Sequence, residues 1–152
     1  MRYASPKQRE SQIVAESTRR SMRANKSVNT RPEVGLRRSL WHAGLRGYRK
    51  NDGRLPGTPD VVFGRAKLAI FVHGCFWHGC PTCTRNLTPK TNALYWSTKI
   101  AQNKERDERN RVALEALGYR VLVLWECELT PKLLPAAVER VREELRIGGL
   151  KD

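Results

Sequence analysis

The sequence predicts a mixed α/β domain with a central sheet and helices on its faces, on three observations. Leu68-Ala69-Ile70-Phe71-Val72 and Val121-Leu122-Val123-Leu124 are continuous apolar runs fit for buried strands. Helical patterns are interleaved with strands in the order α, β, β, β, loop, α, β, α. The chain has 152 residues, a length that suits one domain and buries a core without disulfides.

Each element has its own signal. Residues 1–29 are polar and Arg-rich, with isolated apolar positions at Ile13, Val14, Ala15 and Met22, and read as a basic arm that orders on a partner. The domain proper is expected over 30–152. Thr30-Arg31-Pro32-Glu33 is a helix start, with Thr as N-cap, Pro in the first turn and Glu at the third position. That helix runs to about Ala43, buries Leu36 and Leu40, and stops at Gly44. A short strand follows near Tyr48, then a turn at Asn51-Asp52-Gly53. Pro59 to Phe63 reads as a strand, and Gly64 to Lys67 turns the chain back into Leu68–Val72. Residues 73–93 read as a loop. Residues 94–117 read as a long amphipathic helix ended by Gly118, Tyr119 to Trp125 as a strand, and 135–147 as a last helix. Trp41 and Trp125 fit core positions.

Composition narrows the function classes. Lys and Arg number 29 against 15 Asp and Glu, a net charge of +14. Residues 1–50 carry 13 basic and 3 acidic side chains, 51–100 carry 6 and 2, and 101–152 carry 10 and 10. A charge concentrated in this way points to an arm or helix laid on phosphates, with nucleic acid ahead of an anionic membrane surface. No apolar run is long enough to span a membrane, and the N-terminal residues lack the apolar stretch of a signal peptide. The expectation is a cytoplasmic chain in a reducing compartment, where cysteines bind metal or react.

Cys75, Cys80, Cys83 and Cys127 form a C-x4-C-x2-C cluster with a fourth member after a strand. Four thiolates suffice for a closed tetrahedral zinc site, which holds a shape and does no chemistry. Incidental thiols and an iron–sulfur cluster are the alternatives; a redox pair fits less well, since Cys80 does not open a helix.

Asp60 opens one strand of a hairpin and His73 follows the other, so a carboxylate, the Val72 carbonyl and an imidazole should share one sheet edge. Hard cations such as Mg²⁺ take oxygen ligands of this kind, and a metal-bound water beside a histidine can attack a phosphodiester. Each member also has a plainer explanation. Asp60 suits a turn, His73 and His78 suit zinc, Glu33 suits the helix cap, and Asp107 suits a salt-bridged helix face. Phe76, Trp77 and Trp96 are either wedges that stack on bases or a satellite core under the loop.

Leu55-Pro56-Gly57-Thr58-Pro59-Asp60, Phe71-Val72-His73-Gly74-Cys75-Phe76-Trp77-His78, Asn103-Lys104-Glu105-Arg106-Asp107, Gly118 to Val121 and Trp125-Glu126-Cys127 occur in that order. Over roughly residues 18–129 the chain resembles the very short patch repair (Vsr) DNA mismatch endonucleases. The resemblance implies a restriction-endonuclease-like fold with a structural zinc site. It also implies Mg²⁺-dependent nicking of one strand, 5′ to the thymine of a T:G mismatch left by 5-methylcytosine deamination. Asp60 then resembles the metal-binding aspartate, with the Val72 carbonyl as companion ligand. His73 and His78 resemble the active-site histidines, Asp107 their orienting carboxylate, and Glu33 a catalytic glutamate on the helix after the arm. Phe76, Trp77 and Trp96 resemble aromatics that insert beside the mismatch, and Met22 and Arg23 resemble DNA contacts of the arm. The implied partners are double-stranded DNA with a T:G mismatch and mismatch-repair proteins such as MutL. A monomer without membrane contact, in the cytoplasm at the nucleoid, is implied as well.

Two departures from the family pattern stand out, and a third difference, from nucleases at large, is consistent with this subfamily. Cys80 replaces a common histidine, making the site all-cysteine. Val72 replaces a common threonine. Phe71 and His73 occupy the places of the usual second acid and lysine of nucleases. A zinc-dependent DNA-binding module without catalysis, and a related nuclease with another DNA substrate, are the rival functions.

Overall fold

A computed structural model describes residues 28–83 and 89–149, together with Glu16, Arg19 and Arg20. The chain divides into two units, 1–30 and 31–152. Met22, Arg23 and most of the expected arm lie outside the described residues. The second unit holds α1 (Arg31–His42), β1 (Arg49–Lys50), β2 (Val61–Phe63), β3 (Leu68–His73), α2 (Cys75–His78), α3 (Ala93–Ala116), β4 (Arg120–Trp125) and α4 (Leu134–Ile147). Its sheet runs β1-β2-β3-β4, antiparallel through the first three strands and parallel between β3 and β4.

The two-residue side-chain period of the strands sorts the core into two layers. Val61, Phe63, Leu68, Ile70 and Leu124 face α1 and α4, joining Leu36, Leu40, Val138, Val141 and Leu145. Val62 and Ala69, with Phe71 and Val121, pack on Leu114 of α3 and on Tyr119. The same parity puts His73 on the α3 side of β3, next to Trp125, its register partner on β4.

Two helices end in the same way. After α1, Leu45 N–H bonds the Leu40 carbonyl and Gly44 N–H bonds that of Trp41, with Gly44 at φ +80°. After α3, Tyr119 N–H bonds Leu114 and Gly118 N–H bonds Glu115, with Gly118 at φ +82°. This is the Schellman arrangement, in which a residue without Cβ takes the left-handed position. The following apolar residue, Leu45 or Tyr119, then turns back onto the core.

Three expectations need correction. The 73–93 segment is not all loop, because Cys75–His78 forms one helical turn. Trp41 is not core: it is 54% exposed, beside the buried Leu40, and the Arg46 guanidinium lies 4.4 Å above its ring. α3 is not amphipathic in the ordinary sense, since Leu114 is its one buried residue among those described. Its inward stripe is Trp96, Ile100, Asn103, Asp107, Asn110 and Leu114, spaced four and three residues apart. Polar groups occupy that stripe because they contact the site.

Candidate active site

The site forms at the end of the sheet where β2 begins and β3 finishes. The hairpin register sets Val61 opposite Ile70, and Asp60 N–H continues the ladder to the Ile70 carbonyl at 3.0 Å. The Asp60 carboxylate then accepts the Val72 N–H at 2.7 Å. Asp60 therefore sits beside Val72 as the hairpin argument expects. Burial pushes its carboxyl up to about 6; the Glu33 charge adds to this, while the Val72 N–H, Arg37 and His78 oppose it. Glu33 is itself buried in the first turn of α1, with Arg37 at 3.7 Å. The half-buried Asp60 carboxylate thus feels the charge of the buried Glu33, and carboxylate oxygens of this kind suit a hard cation.

His73 and His78 stack with centroids 4.0 Å apart and planes at 10°. His73 is buried, with the edge of Trp125 at 5.3 Å and Phe71 at 5.9 Å. Burial, with the neighbouring His78, lowers its pKa to about 4. His78 Nδ1 lies 2.6 Å from Asp107 Oδ2. Burial would raise the Asp107 carboxyl, but the His78 hydrogen bond and charge outweigh it and hold the group below its ordinary range. One ligand atom each from His73, His78 and Asp107 lie within 4.8 Å of one another.

α2 is fixed from below by α3. Asn103 Nδ2 donates to the Trp77 carbonyl at 2.8 Å. Gly79 closes the turn at φ +66°, where a Cβ would stand 2.5 Å from Lys104 Cε. Phe76, Trp77 and Trp96 meet edge to face with centroids 5.2 to 5.6 Å apart, all three half-buried, and Tyr95 joins Trp96 at 5.1 Å. The satellite core and the aromatic surface are thus the same cluster.

The cysteines converge on the other side of α2. Cys80 N–H bonds the Cys75 carbonyl at 2.9 Å, bringing both thiols to one end of the turn. Cys127 stands in a 3-10 turn, Glu126–Glu128, held by the Glu128 carboxylate on the Trp125 N–H at 2.8 Å. The Cys75, Cys80 and Cys127 sulfurs lie within 4.8 Å of one another, and Cys83 follows three residues after Cys80 on the same segment. The Cys80 and Cys127 sulfurs are 3.9 Å apart. The edge of a ZnS₄ tetrahedron with Zn–S bonds of about 2.3 Å is about 3.8 Å, so the Cys80–Cys127 spacing fits two ligands of one ion; Cys75 would be a third, and Cys83 would have to complete the set.

Residues 11–85 match the family described as DNA mismatch endonuclease Vsr. The type II nicking enzyme V.NmeAIP of Neisseria meningitidis is 46% identical over 126 residues, 83% of this chain and 86% of that protein. The type II nicking enzyme V.XorIIP of Xanthomonas oryzae is 48% identical over 115 residues, 76% and 83% of the two chains. The DNA mismatch endonuclease Vsr of Escherichia coli is 42% identical over 131 residues, 85% and 83%. The chain belongs to the Vsr family.

Of the site residues expected from sequence, Asp60, Glu33, His73, His78 and Asp107 come together at one sheet end, and Phe76, Trp77 and Trp96 form one patch beside it. Sequence reasoning missed Arg37, Tyr95, Asn103 and Asn110. The signal for the two asparagines was their four-and-three spacing with Trp96 and Asp107. Among the described residues, no helix is long and apolar enough to cross a membrane.

Proposed function

We propose that this chain nicks one strand of duplex DNA 5′ to the thymine of a T:G mismatch, by Mg²⁺-dependent phosphodiester hydrolysis that starts very short patch repair. One observation carries the reading: the half-buried Asp60 carboxylate, at the start of β2 and within reach of the charges of Glu33 and His78, shares its sheet end with a histidine pair tied to Asp107 and an aromatic patch. The relatives, a DNA mismatch endonuclease and type II nicking enzymes, support mismatched DNA as the substrate and a single-strand outcome.

Asp60 and the Val72 carbonyl would hold the cation, with Glu33 adding negative charge. A bound Mg²⁺ supplies positive charge at the scissile phosphate and an ionisable water. His73, neutral at pH 7 because it is buried, accepts a proton at a ring nitrogen. His78, with Nδ1 committed to Asp107, keeps Nε2 to hold or donate one. Phe76, Trp77 and Trp96 wedge beside the mismatch, and the arm at 1–29, with Met22 and Arg23, grips the other side of the duplex.

Cys75, Cys80, Cys83 and Cys127 hold a structural Zn²⁺ that keeps α2 attached to the end of β4. A restriction-endonuclease-like fold over 30–152 and a monomeric state belong to the same reading. So do a cytoplasmic, nucleoid-associated location and repair partners such as MutL. The test is nicking of T:G and T:A duplexes with Mg²⁺ or with chelator. Cleavage of the T:G strand with Mg²⁺ alone is expected. Equal cleavage of both duplexes would point to a different substrate, and binding without cleavage to a non-catalytic module.

A further inference from the structure

The opposite pole of the sheet, where β2 ends and β3 begins, carries a second feature that the nuclease reading leaves unused. β3 has six residues, so this pole lies about 17 Å along the strand from His73. A cleft of about 970 Å³ opens there, rimmed by Arg46, Arg49, Arg65 and Arg142 and lined by no acidic side chain. Arg65 is exposed and makes no ion pair among the described residues. Arg46 stacks on Trp41, Arg49 is paired with Asp52, and Arg142 is paired with Glu139 and donates to the Ala43 carbonyl, which leaves the charges of Arg46 and Arg65. The cleft thus holds more positive charge than its surroundings neutralise, as planar guanidinium forks that suit carboxylate oxygens.

We propose that this cleft binds an acidic, extended peptide segment of a partner protein. Leu45 and Leu145 lie largely buried beneath the arginines and close the floor of the cleft. Gly44 and Gly47 take φ of +80° and +82°, and nothing lies within 4 Å of where their Cβ atoms would be. A peptide main chain can therefore come close to theirs. A single-stranded nucleic acid fits less well, because the cleft offers no free stacking face. Phe63 is 3% exposed and Tyr119 9%, and the Lys67 ammonium covers the Tyr119 ring at 4.6 Å. The N-terminal segment of this chain is itself basic and would be repelled.

The test uses the full chain saturated with T:G duplex in chelator, which occupies the arm and the catalytic pole. Duplex binding is read separately, so a failure of the mismatch reading is seen as such. The probe is a fluorescein-labelled octapeptide of alternating glutamate and leucine, followed by anisotropy, with a glutamine–leucine peptide as control. Binding of the acidic peptide, weakened on the order of tenfold by Arg46→Glu with Arg65→Glu and by Arg65→Gln to a smaller extent, is expected, with nicking unchanged. Equal binding by wild type and these variants would overturn the proposal. So would a labelled single-stranded oligonucleotide that binds in place of the peptide and is lost in the same variants.

Discussion

His78 Nδ1 and Asp107 Oδ2 lie 2.6 Å apart across the gap between a one-turn helix and the middle of α3. A carboxylate at that distance accepts a hydrogen bond from Nδ1–H, which fixes the tautomer and the ring plane of the imidazole stacked on His73. Asp107→Asn keeps the shape but offers an amide that no longer demands Nδ1–H. Nicking should fall roughly a hundredfold or more in kcat, with duplex affinity unchanged. Single-turnover nicking alongside a gel-shift titration separates the two. Full activity in the variant would remove Asp107 from the site.

The placement of Asp60 comes at a cost in stability. Its carboxylate is half-buried and feels the charge of Glu33, which pushes the group up to about 6. Asp60→Asn keeps an oxygen for the Val72 N–H and removes the charge. In chelator at pH 7.5, the variant should be more stable than wild type by roughly 2 kcal/mol and melt at a higher temperature. Nicking should be lost and duplex binding retained. Added Mg²⁺ should raise the melting temperature of wild type alone. A variant that melts lower than wild type in chelator would contradict this account.

Much of this site was legible in the residues. The hairpin of 59–72 brings Asp60 to Val72 by register alone, and strand parity places His73 once β3 is located. α3 was harder. Asn103, Asp107 and Asn110 look like the solvated side of a charged helix, because hydropathy patterns register apolar stripes and this inward stripe is largely polar. Trp41 failed for the opposite reason. It is apolar but one position past Leu40, about 100° around the helix, and a guanidinium covers it where the core does not. The length of α2 was hidden because four residues carry too little pattern to separate a turn of helix from a loop.

The all-cysteine cluster makes a prediction about ligand exchange. Cys80→His retains a fourth donor and should keep one tightly held metal per chain. Cys80→Ala should lose it and lower the melting temperature by several degrees or more. Metal content after dialysis checks both, read with chromophoric chelator release. Equal metal content in wild type and Cys80→Ala would show that Cys80 is not a ligand.

Gly57 in the loop leading to Asp60 takes φ +75°, and a Cβ there would lie 2.7 Å from Asn110 Nδ2. Gly57→Ala therefore meets both backbone strain, worth about 1 kcal/mol, and a clash with α3. Adding Asn110→Ala should recover the clash and leave the strain. Chemical denaturation of the two single variants and the double variant measures the coupling. Strict additivity would mean that the two elements do not press on each other.

Asp52 gives the pH dependence its clearest sign. Its carboxylate accepts from the guanidinium groups of Arg54, at 2.8 and 2.9 Å, and Arg49, at 2.7 Å. The Arg54 bonds, then those of Arg49, hold the carboxyl well below the usual carboxylate range. A folded-state pKa below the unfolded one contributes stability that is fully present above the unfolded value, about 3.9, and is lost as pH falls through the folded value. Wild type should therefore be more stable than Asp52→Asn at neutral pH. The gap should hold down to about pH 5 and close progressively below about pH 4, as the unfolded chain takes up the proton first. Thermal melts of both proteins between pH 3 and pH 7 measure it. A gap that stays constant across that range would mean that Asp52 acts through hydrogen-bond geometry alone and not through its charge.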